Sequence, residues 1–152
     1  DLDATDQLAT LVHNSRNIAI LGNGGSNAIS CHIAEDYTKA LGKRALCFGD
    51  SARLSCYAND YGWENAYTKF VEHFVDYGSL LILISSSGES RNILNVAEYA
   101  RGKYIIVTMS GFAPNNTLRV KYTQDSALHF WVDSRDYGIV ECLHELILHS
   151  II

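Results

Sequence analysis

This chain of 152 residues has few prolines and no closely spaced pair of cysteines, and the cysteine spacing excludes two kinds of site. The four cysteines form no C-x-x-C pair, which argues against a zinc ribbon and against a dithiol redox motif. We therefore expect reduced, mostly buried thiols in a cytoplasmic protein. The chain has one proline and 11 glycines, and the glycines fall mainly in turns and at element ends, as short loops require.

Long basic runs and long apolar runs are also missing, which limits the kinds of partner that we expect the protein to bind. The formal net charge is −5, and no basic run is interleaved with aromatic residues, so we expect no nucleic-acid surface. The longest apolar runs, such as residues 80–84, are too short to cross a bilayer, and no secretion signal is visible, so we expect no membrane partner. The length predicts one domain with a substantial core. Because the first residue is Asp1 rather than Met, we expect a trimmed chain.

Segments typical of strands and helices alternate along the chain. Short apolar strands, rich in β-branched residues, are predicted at 17–21, 44–48, 79–84, 104–109 and 127–132. Helices are predicted at 2–16, 27–41, 52–58, 63–75, 92–101 and 138–152, with a helical turn at 115–119. Strands of this kind are covered on both faces, so the pattern predicts a doubly wound α/β fold with a five-stranded parallel sheet. In such sheets ligands bind beyond the carboxyl ends of the strands.

The most informative stretch is the strand–helix junction at residues 82–90. An apolar strand runs into four serines and a glycine, Ser85, Ser86, Ser87, Gly88 and Ser90, directly before a predicted helix. A helix N-terminus with free N–H groups and several hydroxyls suits a phosphate. The alternative is a serine-rich N-cap, but one serine suffices for a cap, and four favour a polyoxygen ligand. The loop lacks the lysine and spacing of a nucleotide P-loop, which favours a phosphorylated small molecule over ATP.

A second loop, GNGGS at residues 22–26, also follows a strand and opens a helix. Its glycines allow a ligand to approach the backbone closely, and Ser26 can donate a hydrogen bond. The third glycine of a dinucleotide fingerprint is absent, so that interpretation is weak. The alternative is a tight turn with no ligand. Both loops fall at the carboxyl edge of the predicted sheet.

Acidic residues and histidines recur on two predicted helices. His32 and Asp36 are four residues apart and share a helix face, which suits a metal or an acid–base pair, although a surface His–Asp pair is the alternative. On the last helix, polar residues are expected to form a solvated face that leaves a metal or proton-transfer role open: Glu141, His144, Glu145 and His149. The buried face of that helix is predicted to hold Ile139, Val140, Leu143, Leu146, Ile147 and Ile151.

Asp60 belongs to a turn signal, residues 59–64, that leads into a predicted helix. An aspartate there can cap the helix or reach a sugar hydroxyl, and local sequence physics favours the cap.

Taken together, these motifs resemble one family. The GNGGS loop, a histidine six residues after its serine, ANDYGWE, ISSSGES, and an acidic residue and a histidine eight apart on a last helix resemble the phosphoheptose isomerases. These are sedoheptulose 7-phosphate isomerases of the SIS (sugar isomerase) domain superfamily. The resemblance covers about residues 17–152 and lacks most of the family's N-terminal helical segment. It implies a single SIS domain over 1–152 with a flavodoxin-like, three-layer α/β/α architecture.

The resemblance also implies roles for individual residues. The sugar phosphate would be bound by Asn23, Gly24, Gly25, Ser26, Asp60, Ser85, Ser86, Ser87 and Ser90. Zinc or a similar divalent metal would be held by His32, Asp36, Glu141 and His149. Of these four residues, Asp36, Glu141 and His149 would also be catalytic. Two positions depart from the family: Asp36 falls where a glutamate is usual, and Glu141 where a glutamine is usual.

The resemblance further implies a cytoplasmic enzyme, a homotetramer with active sites at subunit interfaces, and a product used in nucleotide-heptose biosynthesis for surface polysaccharide. In such an assembly His144 is expected to face a neighbouring subunit. Two alternatives stay open. One is a non-catalytic SIS module that binds a sugar phosphate or a protein, as a DnaA-associating relative does. The other is a SIS isomerase that acts on a different sugar phosphate.

Overall fold

A computed structural model of the protein describes residues 2–152, so that Asp1, on which the expectation of a trimmed chain rests, lies outside the described residues. Strands and helices alternate as the sequence predicts. The strands are β1 (Asn17–Leu21), β2 (Arg44–Cys47), β3 (Leu80–Ser85), β4 (Ile105–Ser110) and β5 (Leu128–Trp131). The helices are α1 (Leu2–Asn14), α2 (Gly25–Leu41), α3 (Ser51–Tyr61), α4 (Trp63–Phe74), α5 (Arg91–Ala100), α6 (Thr117–Tyr122) and α7 (Tyr137–His149). Within the described residues, no helix combines the length and the apolar character that crossing a membrane requires.

The five strands form one parallel sheet in the order β2-β1-β3-β4-β5. This is the flavodoxin-like order, in which the chain runs outward in one direction from β1 and then in the other from β3. The prediction of a doubly wound, five-stranded parallel sheet is therefore confirmed. The connections that leave β1 and β3 run in opposite directions along the sheet. The loops that follow these two adjacent strands therefore lie side by side at the carboxyl edge.

Helices cover both faces of the sheet because the strand side chains alternate between two apolar cores. Ala19 and Leu21 of β1 face the core formed with α4, α5 and α6. Ile18 and Ile20 of the same strand face the other core, formed with α1, α2 and α7. The central strand β3 is buried along its whole length. Such strands lack a polar face, which explains their continuous apolar sequence and fixes the three-layer architecture.

One predicted turn is replaced by helix. Helix α3 continues to Tyr61, three residues beyond its predicted end, and Gly62, with a positive φ of 79°, separates it from α4. Asp60 therefore lies in the last turn of α3, while the N-cap of α4 is Gly62 without a side-chain cap. The prediction that Asp60 caps the following helix is wrong.

The cysteines are free, as expected, but not mostly buried. Cys31 and Cys47 are half-buried, whereas Cys56 and Cys142 are exposed. The last two lie on helix faces turned away from the sheet, where a small apolar residue gains no cover. The prediction of mostly buried thiols is wrong for this reason.

Candidate active site

A cavity of about 400 Å³ opens where the loops after β1 and β3 meet the start of α7. Nine of its lining residues are ones that the sequence singled out: Asn23, Gly24, Gly25, Ser26, Ser85, Ser86, Ser87, Ser90 and Glu141. Ile84 and Tyr137 complete the lining and were not predicted. The lining holds no lysine, arginine or histidine among the described residues. An anion in this cavity would therefore meet hydroxyl and backbone N–H donors rather than cations.

The serine loop after β3 is a tight turn whose hydroxyls are partly committed to one another. The N–H of Gly88, which has a φ of 70°, donates to the carbonyl of Ser85 at 2.9 Å. The hydroxyls of Ser85 and Ser90 are 3.1 Å apart, and Ser90 precedes α5 without a side-chain cap. The hydroxyl of Ser86 is buried and has no hydrogen-bond partner among the described residues. The serine at the helix start therefore makes no side-chain cap, and the unpaired hydroxyl of Ser86, a residue that lines the cavity, leaves a donor for oxygen acceptors.

Contacts with α6 hold the back of the serine loop. The carboxylate of Glu89 accepts hydrogen bonds from the backbone N–H and the hydroxyl of Thr117, at 2.8 and 2.7 Å. The carbonyl of Gly88 accepts one from the N–H of Leu118 at 2.9 Å, and that of Ser86 accepts one from Gly111 at 2.9 Å. The negative charge of Glu89 is thereby directed away from the cavity. A loop fixed in this way presents its donors without reorganisation when an anion binds.

The glycine loop after β1 allows the C-terminal helix to approach closely. The carbonyl of Gly22 accepts a hydrogen bond from the Tyr67 hydroxyl at 2.8 Å, which anchors the loop to α4. A Cβ at Gly25 would collide with the carboxylate of Glu141. Helix α2 begins at Gly25, so its N-terminus and that of α5 both open on the cavity. Two helix N-termini with free N–H groups form a favourable electrostatic environment for an anion.

The side chains of Asn23 and Asn92 pair with each other across the two loops. Nδ2 of Asn23 donates to Oδ1 of Asn92 at 2.9 Å, and Nδ2 of Asn92 donates to Oδ1 of Asn23 at 2.7 Å. Sequence reasoning missed Asn92. The available signal was a polar residue at a core-facing position of α5, which carries a strongly amphipathic pattern.

A second group of functional side chains lies where α2 packs against α7. His32, Asp36 and His149 each offer a ligand atom, and these atoms all lie within 4.8 Å of one another. Asp36 Oδ2 is 3.5 Å from Nε2 of His32 and 4.0 Å from Nδ1 of His149. The interpretation of His32 and Asp36 as an isolated surface pair is therefore replaced by a three-residue cluster.

This cluster fits a zinc ion by its chemistry and its spacing. Two imidazoles and one carboxylate are a common catalytic zinc set, which leaves a coordination position for water or substrate. Ligand atoms around tetrahedral zinc lie about 3.4 Å apart, close to the 3.5 Å between Asp36 and His32, while the 4.0 Å between Asp36 and His149 is somewhat longer. Glu145, whose carboxylate is 3.7 Å from Nε2 of His149, is placed to orient that ring from outside the cluster. Glu141, the fourth predicted ligand, instead lines the cavity beside Gly25.

Asp60 is not brought to the cavity. It is exposed on α3, where its carboxylate accepts a hydrogen bond from Asn59 at 2.9 Å and is 3.5 Å from the thiol of Cys56. Asp60 does not line the cavity of its own subunit, and the substrate contact that the resemblance implies for it stays a prediction.

Helix α7 buries a different face from the predicted one. Ile139, Leu143 and Leu146 are 52%, 39% and 62% exposed, whereas Val140, His144 and Leu148 are buried. Val140 packs against Gly111 at the end of β4, where a Cβ would collide with it. This contact sets the rotation of the helix, so the prediction that Ile139, Leu143 and Leu146 belong to the buried face is wrong.

His144 is part of the core and does not face outward. It is fully buried, and its Nε2 lies 3.1 Å from the carbonyl of Ser110. Desolvation lowers its pKa to about 4, so the ring is neutral at pH 7. Neither the solvated position nor the orientation toward a neighbouring subunit that we expected for His144 is correct. Its hydrogen bond joins α7 to the strand end behind the serine loop.

Comparison with known proteins agrees with this architecture. A family model described as SIS domain matches residues 2–109. The phosphoheptose isomerase of Fusobacterium nucleatum is 30% identical over 151 residues, which cover 96% of this chain and 76% of that protein. That of Sodalis glossinidius is 29% identical over 96% of this chain and 79% of its own length, and that of Histophilus somni is 36% identical over 59% and 49%.

Two solved structures are also similar to this chain. A phosphoheptose isomerase from Neisseria gonorrhoeae matches with a TM-score of 0.88 and 24% identity, over 99% of this chain and 83% of the other. One from Francisella tularensis matches with a TM-score of 0.86 and 24% identity, over 98% and 83%. At this level of identity the structural likeness supports the fold.

Proposed function

Because the chain belongs to the phosphoheptose isomerase family of SIS-domain proteins, we propose that it is an aldose–ketose isomerase that interconverts sedoheptulose 7-phosphate and a D-glycero-D-manno-heptose 7-phosphate. The observation that carries this proposal is the pairing of two features. A cation-free cavity with an unpaired buried hydroxyl suits a phosphate, and a cluster of two imidazoles and a carboxylate lies on the helices that lead away from it. A phosphate anchor beside acid–base groups is the arrangement that isomerisation of a sugar phosphate requires.

In this proposal the serine loop binds the unreactive end of the substrate. Hydroxyls of Ser85, Ser86, Ser87 and Ser90 and the N-termini of α2 and α5 donate to the phosphate oxygens, and Ser26 donates from the glycine loop. Asn23 lines the same cavity and contacts the phosphate end of the substrate. Because the loops are already held by α4 and α6, this binding orients the open-chain sugar toward α7.

The chemistry is a proton transfer between neighbouring carbons. A base removes a proton from C1 of the ketose, the C1–H electron pair forms the C1–C2 double bond of a cis-enediol, and the C2 carbonyl oxygen takes up a proton. Protonation at C2 then gives the aldose, with loss of the O1 proton and formation of the C1 carbonyl. The candidate bases are Asp36, Glu141 and His149. Glu141 lines the cavity, whereas Asp36 and His149 are in contact within the cluster.

We include zinc, or a similar divalent ion, in this proposal because the cluster fits one. His32, Asp36 and His149 would hold it. The ion would supply Lewis-acid stabilisation of the negative charge that develops on the substrate oxygens. Asp36 is one methylene shorter than the glutamate usual in the family, yet its carboxylate lies between the two imidazoles.

The wider setting is part of the proposal. We infer a single SIS domain over residues 1–152, a homotetramer with interfacial active sites, and a cytoplasmic role in nucleotide-heptose synthesis for surface polysaccharide. The exposed apolar side chains of α7, Ile139, Leu143 and Leu146, support the association of subunits, because an apolar stripe of this kind is covered at an interface.

The test is turnover of sedoheptulose 7-phosphate, followed by NMR, in the wild type and in two histidine variants. We expect His149→Ala to lose at least about 100-fold in kcat, because the variant removes both a cluster ligand and a candidate base. The matched control is His13→Ala, an exposed histidine on α1, which should retain wild-type turnover. A chelator should lower turnover of the wild type, and added zinc should restore it. Full activity of His149→Ala would contradict the assignment of the reacting groups.

The same experiment distinguishes the alternatives. A non-catalytic module would bind the sugar phosphate without turnover in any variant. An isomerase for another sugar phosphate would turn over a different ketose phosphate and remain sensitive to His149→Ala.

A further inference from the structure

The two loops that form the cavity are connected at one point by a reciprocal pair of side-chain amides. Asn23 lies in the loop after β1, and Asn92 is the second residue of α5, directly behind the serine loop. Each amide donates to the other, at 2.9 and 2.7 Å. Asn92 is 1% exposed, so the pair is closed to water on its side. Because both bonds are short and one member is buried, the pair links the two loops directly at the cavity.

A third hydrogen bond fixes which way the amides point. Oδ1 of Asn92 also accepts a hydrogen bond from the backbone N–H of Ile93 at 3.1 Å, an N–H that it shares with the carbonyl of Ser90 at 3.0 Å. If Asn92 were flipped, its NH₂ group would face that N–H, and two donors would oppose each other. The oxygen of Asn92 therefore faces the helix start, and Asn23 must present its NH₂ group to that oxygen. The backbone of α5 in this way orients the side chain of Asn23.

The orientation decides what Asn23 offers to a ligand. An asparagine amide has two N–H donors and two acceptor lone pairs. The pair with Asn92 uses one of each, and one N–H and one lone pair remain on the residue that lines the cavity. A substrate thus meets a single donor and a single acceptor in fixed positions.

We propose that Asn92 is a positioning residue for sugar-phosphate binding, which acts through Asn23 and joins the two phosphate-binding loops into one rigid site. This inference rests on the proposed function, since Asn23 is there a substrate contact. Asn92 itself is buried behind the loop and does not touch the ligand. Its role is to hold the amide of Asn23 in its binding orientation before the substrate arrives, which lowers the entropic cost of binding.

The test is a double-mutant cycle on KM for sedoheptulose 7-phosphate, with Asn23→Ala, Asn92→Ala and the double variant. We expect each single variant to raise KM about tenfold and to change kcat less than about threefold, because a binding contact, rather than a proton transfer, is lost. In the Asn23→Ala background, Asn92→Ala should change KM less than about twofold, because the Asn92 side chain then has no partner left to orient. Multiplicative KM effects would overturn the proposal, as would an unchanged KM in Asn92→Ala.

The matched control is Asn95→Ala on the same helix. The Asn95 side chain also donates a hydrogen bond to another element, the carbonyl of Glu64 at 2.9 Å, but this hydrogen bond is exposed and Asn95 lies outside the cavity lining. This variant should keep the wild-type KM. A rise in KM equal to that of Asn92→Ala would show a general effect of loosening α5 and would contradict a specific role for the amide pair.

A conservative variant covers the case in which Asn92→Ala does not fold. Asn92→Asp keeps the size of the side chain and the acceptor for Ile93, but it loses the donor to Asn23. It should therefore fold and still raise KM, while an unchanged KM would contradict the proposal.

Two readouts separate this inference from the proposed function. If the wild type turns over no sugar phosphate, the function fails, but the same cycle measured by calorimetry with inorganic phosphate still tests the pair. We expect the two single variants and the double variant to weaken phosphate binding by the same factor. In the ligand-free wild type, the side-chain NH₂ protons of buried Asn92 should exchange with solvent at least about tenfold more slowly than those of half-buried Asn95, whose hydrogen bond is exposed. Equal exchange rates would refute the pair itself.

Discussion

One buried and one half-buried histidine are predicted to make this fold sensitive to mild acid. His144 on α7 is fully buried beside the carbonyl of Ser110, and desolvation lowers its pKa to about 4. His129 on β5 is half-buried between Thr108 and Ser110, and desolvation, with a smaller contribution from nearby Arg119, lowers its pKa to about 4. Both rings therefore stay neutral in the folded protein at pH values where a solvated histidine takes up a proton.

The sign and size of the effect follow from these pKa values. A histidine in the unfolded chain has a pKa of about 6.5, so as the pH falls the unfolded chain is protonated first. The stability that the neutral rings contribute is complete above pH 6.5 and is lost as the pH falls toward 4. For His144 the loss within this window approaches about 1.4 kcal/mol per pH unit, and half-buried His129 adds a smaller loss of the same sign. Hydrogen bonds, chiefly from Lys121, lower the pKa of Glu98 to about 2. The stabilisation that ionised Glu98 contributes is therefore lost only below pH 4.5.

The assay is urea unfolding between pH 6.5 and 5.0 at fixed protein concentration, with the free energy of unfolding from linear extrapolation. The wild type and the control variant His13→Gln, which replaces an exposed histidine, should lose stability with the same slope. His144→Gln should show an average slope smaller by about 1 kcal/mol per pH unit, because the unfolded histidine is half protonated at pH 6.5 and almost fully protonated at pH 5.0. The same slope in His144→Gln and in the wild type would show that His144 is not held neutral by burial in the folded protein.

Three further variants test the binding cavity, the metal cluster and the loop anchor. Gly25→Ala places a methyl group where the carboxylate of Glu141 lies, so it should weaken sugar-phosphate binding about tenfold or more while circular dichroism stays unchanged; wild-type affinity would contradict the close packing. Asp36→Asn should lower zinc affinity at least about tenfold in a competition titration, and unchanged affinity would remove Asp36 from the cluster. Glu89→Ala removes both hydrogen bonds to Thr117 and should lower the free energy of unfolding by about 1–2 kcal/mol in urea; an unchanged unfolding midpoint would show that the anchor contributes nothing.

The fold was predictable because local signals and global architecture agree. Continuous apolar strands such as 80–85 require cover on both faces, and their alternation with helices leaves few topologies other than a doubly wound parallel sheet. Element ends were predicted less well. Helix α3 runs on to Tyr61 because Gly62, with its positive φ, is the residue that ends it, and the polar residues before it looked like a turn.

The site was predictable where it depends on loops between neighbouring elements. The serine and glycine loops meet because β1 and β3 are adjacent, which the topology dictates. The rotation of α7 could not be predicted, because apolar periodicity gives a wide stripe, and contacts of Val140 and His144 with the end of β4 decide which part is buried. Asn92 could be recognised as a polar residue at a core-facing position of α5, but its pairing could not be predicted, because its partner is 69 residues away.

Isomerisation of a heptose phosphate through an enediol is tested most directly by NMR of sedoheptulose 7-phosphate incubated with the zinc-supplemented wild type in D₂O. We expect an aldose 7-phosphate that carries solvent deuterium at C2, because the proton removed from C1 passes through a base that exchanges with solvent. Binding of the sugar phosphate with no aldose formed and no deuterium incorporated would contradict this isomerisation.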